Sequence, residues 1–163
     1  MINEIIKIFM ENEMEDIYLM GIFDDDDREF IVNKNFIYLQ IGIYFLEIEA
    51  IESYSKLKIE IKKSIPQKHT FEDVMDGTMK ISEFIFTNPL SKRKKFESVY
   101  FYNLNNKKNY IVTDVLLMKL NSEQYIFIDP QFLGINIGGL EQKKWWENNL
   151  NSNKEVKITK YEF

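Results

Sequence analysis

Cysteine is absent from the 163-residue chain, and histidine occurs once, as His69. The first absence excludes a disulfide scaffold, a thiolate zinc site and a cysteine nucleophile. The second makes a Ser-His-Asp hydrolase and most transition-metal sites improbable. Alanine also occurs once, whereas isoleucine occurs 23 times and phenylalanine 13 times. Because β-branched and aromatic residues favour strands and alanine is the best helix former, we expect strands to predominate.

Long apolar runs are also missing. None reaches the roughly 18 residues that a membrane helix needs, and Glu4 and Lys7 interrupt the N-terminal apolar stretch, which has no small-residue cleavage site. The chain length and an apolar fraction of 45% suit one domain over residues 1–163. We therefore expect a single cytoplasmic domain with no membrane contact.

The net charge of −5 is unevenly distributed along the chain. Residues 1–52 have a net charge of −10, and residues 53–163 have a net charge of +5. The densest acidic run is Asp24–Asp27. An acidic surface attracts a basic partner, although charge runs often serve only as solvated faces.

The hydrophobic pattern predicts an α+β fold: a largely antiparallel β-sheet with an N-terminal, a central and a short C-terminal helix. The central helix begins at Thr70 and ends before Pro89, although Gly77 weakens it and leaves a strand over 79–86 as the alternative. The helices are expected over residues 2–13, 70–86 and 140–150, and the strands over 17–23, 29–32, parts of 36–65, 97–103, 109–120, 124–129 and 156–161.

Two patterns suggest other functions. Glu60-Ile61-Lys62, with Glu47 upstream, resembles the carboxylate and E-x-K pattern of metal-dependent nucleases, but the Pro-Asp element of that pattern is missing. The segment 92–102 mixes four basic residues with aromatic ones, as single-strand nucleic-acid binders do, although the acidic N-terminal third would repel phosphates. Both remain alternatives.

Other candidate sites are weaker. The aspartate run lacks the glycine and the position-twelve glutamate of a calcium loop. The glycines of 134–139 match neither phosphate-binding fingerprint. We therefore expect no catalytic residues, no metal and no cofactor, and a protein that is not an enzyme.

The segment Phe127-Ile128-Asp129-Pro130-Gln131-Phe132-Leu133-Gly134-Ile135-Asn136-Ile137-Gly138-Gly139, followed by Trp145-Trp146, resembles the closing segment of small immunity proteins. These proteins accompany bacterial contact-dependent growth inhibition and other polymorphic toxins. The resemblance implies a cytoplasmic antitoxin that binds a cognate toxin domain, often a nuclease, and blocks its active site or substrate surface. It assigns no contact residues.

From the charge pattern we hypothesise that an acidic face makes the contact with the toxin, because such a face mimics phosphates and accelerates association with a basic cleft. The candidate partner-binding residues are Asp24, Asp25, Asp26, Asp27, Glu29, Glu47 and Glu49.

Overall fold

The computed structural model describes residues 1–24, 29–66, 74–85, 94–121, 123–150 and 155–163. Within them it has the helices α1 (Ile2–Glu11), α2 (Ser82–Ile85) and α3 (Leu140–Asn148). The strands are β1 (Met14–Asp24), β2 (Glu29–Ile41), β3 (Tyr44–Ile51), β4 (Lys56–Lys62), β5 (Val74–Lys80), β6 (Phe96–Tyr102), β7 (Asn105–Asn106), β8 (Ile111–Thr113), β9 (Leu116–Leu120), β10 (Tyr125–Gln131), β11 (Gly134–Gly138) and β12 (Ile158–Glu162). The α+β class with N-terminal, central and C-terminal helices is confirmed. His69 lies outside the described residues.

The strands form two antiparallel sheets. The larger has the order β5-β1-β2-β3-β4-β8-β7, and the smaller has the order β11-β10-β9-β6-β12. One hydrophobic cluster contains side chains from both sheets, such as Ile37 and Leu46 of the larger and Val99 and Ile128 of the smaller. The two sheets therefore face each other, and alternate residues of each strand point into the core between them.

Helices cover two further parts of the sheets. Ile5 and Phe9 of α1 belong to the core, and the Phe9 ring meets the Phe96 ring edge-on at 4.7 Å. Trp146 of α3 packs on the outer face of the smaller sheet, 5.4 Å from Tyr102, while Trp145 beside it is 53% exposed. None of the helices in the described residues is long and apolar enough to cross a membrane.

The chain crosses from the larger sheet to the smaller one at Asp114. The sequence predicts one strand over 109–120, but β8 and β9 lie in different sheets. The Asp114 amide donates a hydrogen bond to the Tyr102 carbonyl oxygen at 2.8 Å. The Asn103 side chain donates another to the Asp114 carboxylate, also at 2.8 Å. These bonds hold the corner between β8 and β9.

Residues 74–80, which the sequence predicts to be helical, form the strand β5 instead. This strand pairs with β1 along its whole length, with Gly77 opposite Gly21. A mid-helix glycine costs about 1 kcal/mol relative to alanine, and pairing with β1, which is remote in sequence, outweighs the local helical pattern. Helix remains only in Ser82–Ile85. Residues 70–73 and 86 lie outside the described residues.

Gly21 and Gly77 make room for the ring of Phe30. A Cβ atom on Gly77 would lie 2.8 Å from the ring, and its three nearest atoms would all belong to Phe30. A Cβ atom on Gly21 would lie 2.7 Å from the ring and 2.4 Å from the Ile31 carbonyl oxygen. One aromatic ring thus covers two neighbouring strands that lack side chains at this point.

This geometry predicts different outcomes for the two glycines. Gly21→Ala and Gly77→Ala should each lower the free energy of unfolding by about 1–3 kcal/mol, since each overpacks the site. In a Phe30→Ala background the cost of Gly77→Ala should vanish, whereas that of Gly21→Ala should persist because the Ile31 carbonyl remains. Urea unfolding of the double-mutant cycles measures both. An unchanged cost of Gly77→Ala in the two backgrounds would contradict the packing.

Candidate functional site

The two described ends of the acidic run lie next to each other on β1 and β2. Asp24, the last residue of β1, pairs directly with Glu29, the first residue of β2. Glu29 is exposed, and no cation pairs with it among the described residues. Asp25, Asp26 and Asp27 lie outside the described residues. We call residues 24–29 the acidic hairpin end, which in sequence holds five acids and one arginine.

Glu47 and Glu49 lie on a different part of the larger sheet. Glu47 is paired with Tyr38, which is paired with Tyr18 of β1. Asp24 follows Tyr18 by six residues on the same strand, so about 20 Å separates Glu47 from the hairpin end. Among the described contact residues, Glu47 therefore lies far from Asp24 and Glu29.

Glu47 is buried, contrary to the expectation that it lies on an acidic face. Only 4% of it is exposed. The Tyr38 hydroxyl donates a 2.6 Å hydrogen bond to its Oε2 atom, and the Lys62 ammonium lies 3.4 Å from its Oε1 atom. Burial, together with the hydrogen bond to Glu47, raises the pKa of Tyr38 well above its ordinary value. Tyr38 is therefore a neutral donor, and Glu47 serves the packing of the sheet.

Glu49 belongs to a row of alternating charges across β3 and β4. Its carboxylate lies 3.2 Å from the Lys58 ammonium, which also lies 3.2 Å from Glu60, and Lys62 lies 3.0 Å from Glu60. Burial raises the pKa of Glu60, but the hydrogen bonds from Lys62 and Lys58 outweigh it and leave the pKa lowered. The row is thus a half-buried, internally neutralised network rather than a source of negative potential.

The nuclease alternative finds its residues close together but wrongly arranged for a metal. Glu47 and Glu60 are direct partners on β3 and β4, as the E-x-K pattern requires. However, the Lys62 ammonium contacts both carboxylates, at 3.4 Å and 3.0 Å. Within the described residues, no group of three or more acidic or histidine side chains is placed to hold a metal ion. In the described residues these carboxylates are thus paired with Lys62.

The nucleic-acid alternative lacks exposed rings. Phe96, Phe101 and Tyr102 are buried, and only Tyr100 of the 96–102 aromatics is partly exposed. Base stacking requires accessible ring faces. Lys92 and Arg93 lie outside the described residues, and Lys95 lies 4.0 Å from Glu13. The described part of this segment is core strand.

A groove that the sequence analysis did not anticipate lies between the two sheets, beside the β1–β2 hairpin. Its floor consists of Leu19, Val32, Ile37 and Ile135, its rim includes Lys34, Phe132 and Leu133, and its volume is about 520 Å³. Phe132 is 86% and Leu133 71% exposed. We call the groove lined by these residues the sandwich-end groove. Its signal in the sequence is the adjacent pair Phe132-Leu133 next to Gly134 in a hairpin turn.

Gly134 allows the β10–β11 turn to close one side of the groove. Its φ is +129°, and a Cβ atom there would lie 2.4 Å from the Lys34 carbonyl oxygen. Only glycine allows this conformation and this close approach. The β10–β11 turn therefore rests on β2 at Lys34, and β2 continues beyond this contact to Glu29.

Two other buried carboxylates have opposite pKa shifts. Asp129, covered by α3, accepts hydrogen bonds from Gln131 at 3.1 Å and Gln142 at 3.2 Å, and burial raises its pKa. Burial also raises the pKa of Asp16, but hydrogen bonds from Lys80, Ser82 and its neighbour's amide outweigh it and leave the pKa lowered. Neither group lines the sandwich-end groove.

No family model matches the chain, and comparison with curated proteins and with solved structures gives no match. The function is therefore inferred from the chemistry of the residues themselves.

The Tyr38–Glu47 contact predicts that two tyrosine-to-phenylalanine substitutions lower the free energy of unfolding by different amounts. Tyr38→Phe should lower the free energy of unfolding by about 1.5–3 kcal/mol, because it removes a hydrogen bond to a buried charge. The comparison is Tyr18→Phe, whose hydroxyl donates to the neutral Gln40 side chain at 2.9 Å and also has a hydrogen bond with the largely exposed Lys80, which adds little. That change should cost about 0.5–1.5 kcal/mol. Chemical denaturation measures both, and equal costs would show that Glu47 is not a buried anion.

The two aspartates predict opposite pH dependences. The raised pKa of Asp129 means that its protonated carboxyl group contributes fully to stability below the unfolded pKa of about 3.9, and that this contribution is lost as pH rises through the folded pKa. The stability of Asp129→Asn relative to the natural protein should therefore increase with pH. Asp16 contributes above that pKa and loses its contribution as pH falls, so Asp16→Asn should become relatively less stable with rising pH. Urea unfolding between pH 3 and pH 7 (about one unit below and three above that pKa) tests this, and parallel curves would contradict it.

Proposed function

We propose that this protein is a cytoplasmic immunity protein, which binds a cognate bacterial toxin domain and neutralises it by covering the active site or substrate surface. The observation that carries the proposal is the acidic hairpin end. It holds five acids among six residues, and Glu29 there is exposed and has no cationic partner among the described residues. The resemblance of residues 127–146 to the closing segment of immunity proteins supports the same class.

The density of acids in residues 24–29 of the sequence supports an electrostatic mechanism. Toxin nucleases need a basic cleft for phosphates, so a dense negative charge at the end of a hairpin can approach that cleft as phosphates do. Complementary charge raises the association rate by about ten- to a thousandfold and makes it sensitive to salt. The acidic hairpin end would therefore speed recognition and then occupy the phosphate site.

Two residues named as contacts from the sequence are not part of the proposed surface. Glu47 is buried beneath Tyr38 and Lys62, and Glu49 is paired with Lys58. A partner would have to break those pairs before using either carboxylate, and removing one member of a buried pair is costly. The proposed contacts are therefore Asp24, Asp25, Asp26, Asp27 and Glu29.

The partner can be identified by co-purification from the host and by testing the product of the gene immediately upstream. The partner's toxicity on expression in a sensitive host, and its loss when this protein is co-expressed, then test neutralisation. The proposal fails if the purified partner is harmless, or if co-expression leaves its toxicity unchanged.

The mechanism predicts a slower association after charge removal. Replacing Asp24 to Asp27 together by Asn should lower the association rate about tenfold or more and flatten its dependence on salt. The matched control replaces four exposed acids elsewhere, Glu4, Glu11, Glu141 and Glu155, by Gln, which changes the net charge equally. Stopped-flow or surface binding kinetics measure both. Equal effects of the two variants would assign the result to net charge rather than to the hairpin.

A further inference from the structure

We infer that the sandwich-end groove receives a large apolar side chain of a protein partner, and that a carboxylate beside this side chain pairs with Lys34. The inference rests on the proposed function, since it names the part of the toxin's surface, outside its basic cleft, that the groove would hold. Lys34 would thereby select, among apolar segments, one that carries a negative charge.

The groove has the composition of a protein-binding site. Four aliphatic side chains form its floor, and at its rim Phe132 is 86% and Leu133 71% exposed. Two bulky apolar side chains next to each other in water are unfavourable in a free domain. Exposed apolar residues around an apolar cavity are typical of binding surfaces, where a few buried anchor residues carry most of the binding energy.

The two sheets leave the groove open because they end at different places. The turn between β10 and β11 meets β2 at Lys34, while β2 continues five residues further, about 17 Å, to Glu29. Phe30 and Val32 on this overhang are only half-buried. An apolar side chain of another molecule can therefore cover a surface that the domain itself leaves open.

A bulge in β2 places Lys34 at the groove. Leu19 of β1 pairs with Ile37, and the next residue of β1 pairs with Asn33, so residues 34–36 of β2 are not paired with β1. The Asn33 side chain accepts a 3.1 Å hydrogen bond from the amide two residues further along the chain, within the bulge. Bulges redirect side chains and are frequent beside functional sites.

The Lys34 ammonium is available to a partner. Lys34 is exposed, and among the described residues it is the only charged residue that lines the groove and has no carboxylate partner. Every other lysine of the strands lies beside a carboxylate; these are Lys56, Lys58, Lys62, Lys80, Lys119 and Lys160. A carboxylate of the partner can therefore pair with Lys34 without breaking an ion pair of this chain.

The described acid of the same strand, Glu29, lies on the other face of β2. Glu29 and Val32 are three residues apart in a stretch that pairs regularly with residues 21–24 of β1, so their side chains point to opposite faces. Val32 lines the groove, and Glu29 therefore points away from it. Among the described residues, the charge that an occupant meets in the groove is that of Lys34, which favours an anionic neighbour of the anchor.

A second copy of this chain is the competing occupant. Its Glu83-Phe84 pair has the same chemistry, since Glu83 is exposed and Phe84 is 85% exposed. However, a contact between two different patches of one chain extends into rings or open chains, whereas one contact with a different protein closes the complex. A partner protein is therefore the favoured occupant, and self-association is an outcome of the test.

Peptides that differ in one residue test the charge preference. Each fluorescent peptide has one tryptophan and two leucines among glycines and serines, with Glu, Gln or Lys beside the tryptophan. We expect the protein to bind the Glu peptide about two- to fivefold more tightly than the Gln peptide, as for an exposed ion pair. The Lys peptide should bind most weakly. Fluorescence anisotropy measures the three affinities.

Charge reversal in the groove is the sharper test. Lys34→Glu should invert the order, so that the Lys peptide binds most tightly, and Lys34→Met should make the three affinities equal. The matched control is Lys108→Glu, because Lys108 is also exposed and does not line the groove. It should preserve the original order. Phe132→Ser should weaken all three affinities at least fivefold, and Phe84→Ser should leave them unchanged.

Several results would overturn the inference. These are no binding of any peptide, equal affinities for the Glu and Lys peptides, the original order in Lys34→Glu, and affinities that Phe132→Ser leaves intact. Light scattering that shows a mass above the monomer, restored to the monomer by Phe84→Ser, would assign the groove to a second copy instead.

Failure of this inference is distinguishable from failure of the proposed function. A toxin that is neutralised equally well by Phe132→Ser and Lys34→Glu supports the immunity function without the groove. Charge-selective peptide binding by a protein that neutralises no toxin supports the groove alone.

Discussion

The unequal extent of the two sheets is the constraint on which the rest of the structure depends. Seven strands bury their inner face against only five, so one core cluster serves both sheets over most of their area. Where the β10–β11 turn stops at Lys34, the larger sheet loses its covering layer but continues to Glu29. Apolar side chains on that overhang cannot be buried by the domain itself. The sandwich-end groove follows directly from this mismatch.

The acids of the larger sheet are of two kinds, those that are paired and those that are exposed. Where carboxylates lie in the middle of the sheet, each has a lysine or tyrosine partner, as Glu47 has Tyr38 and Lys62. Charges held at low accessibility require such partners, because desolvation otherwise destabilises them. At the hairpin end, by contrast, Glu29 remains in water without a partner among the described residues. The paired acids inside the sheet therefore stabilise the fold, whereas Glu29 is exposed to solvent.

The parts of the fold with a strong local signal were predictable from the sequence. The helix expected over residues 2–13 and a strand within 36–65 correspond to α1 and β4, because side-chain periodicity depends on the element alone. The strand β5 was predicted to be helical, since its state depends on pairing with β1, far away in the chain. The burial of Glu47 was not predicted, because no local pattern indicates that Tyr38 and Lys62 cover its carboxylate. Burial of that kind depends on distant segments.

Under the proposed function, the groove and the acidic hairpin end contribute to different steps of one binding event. Long-range charge acts before contact and mainly raises the association rate, whereas burial of an apolar anchor acts after contact and mainly slows dissociation. The groove is lined by residues of β1, β2 and the β10–β11 hairpin, and its residue Val32 lies three residues from Glu29 on β2. Tight and selective binding would therefore require no residue that reacts with the partner.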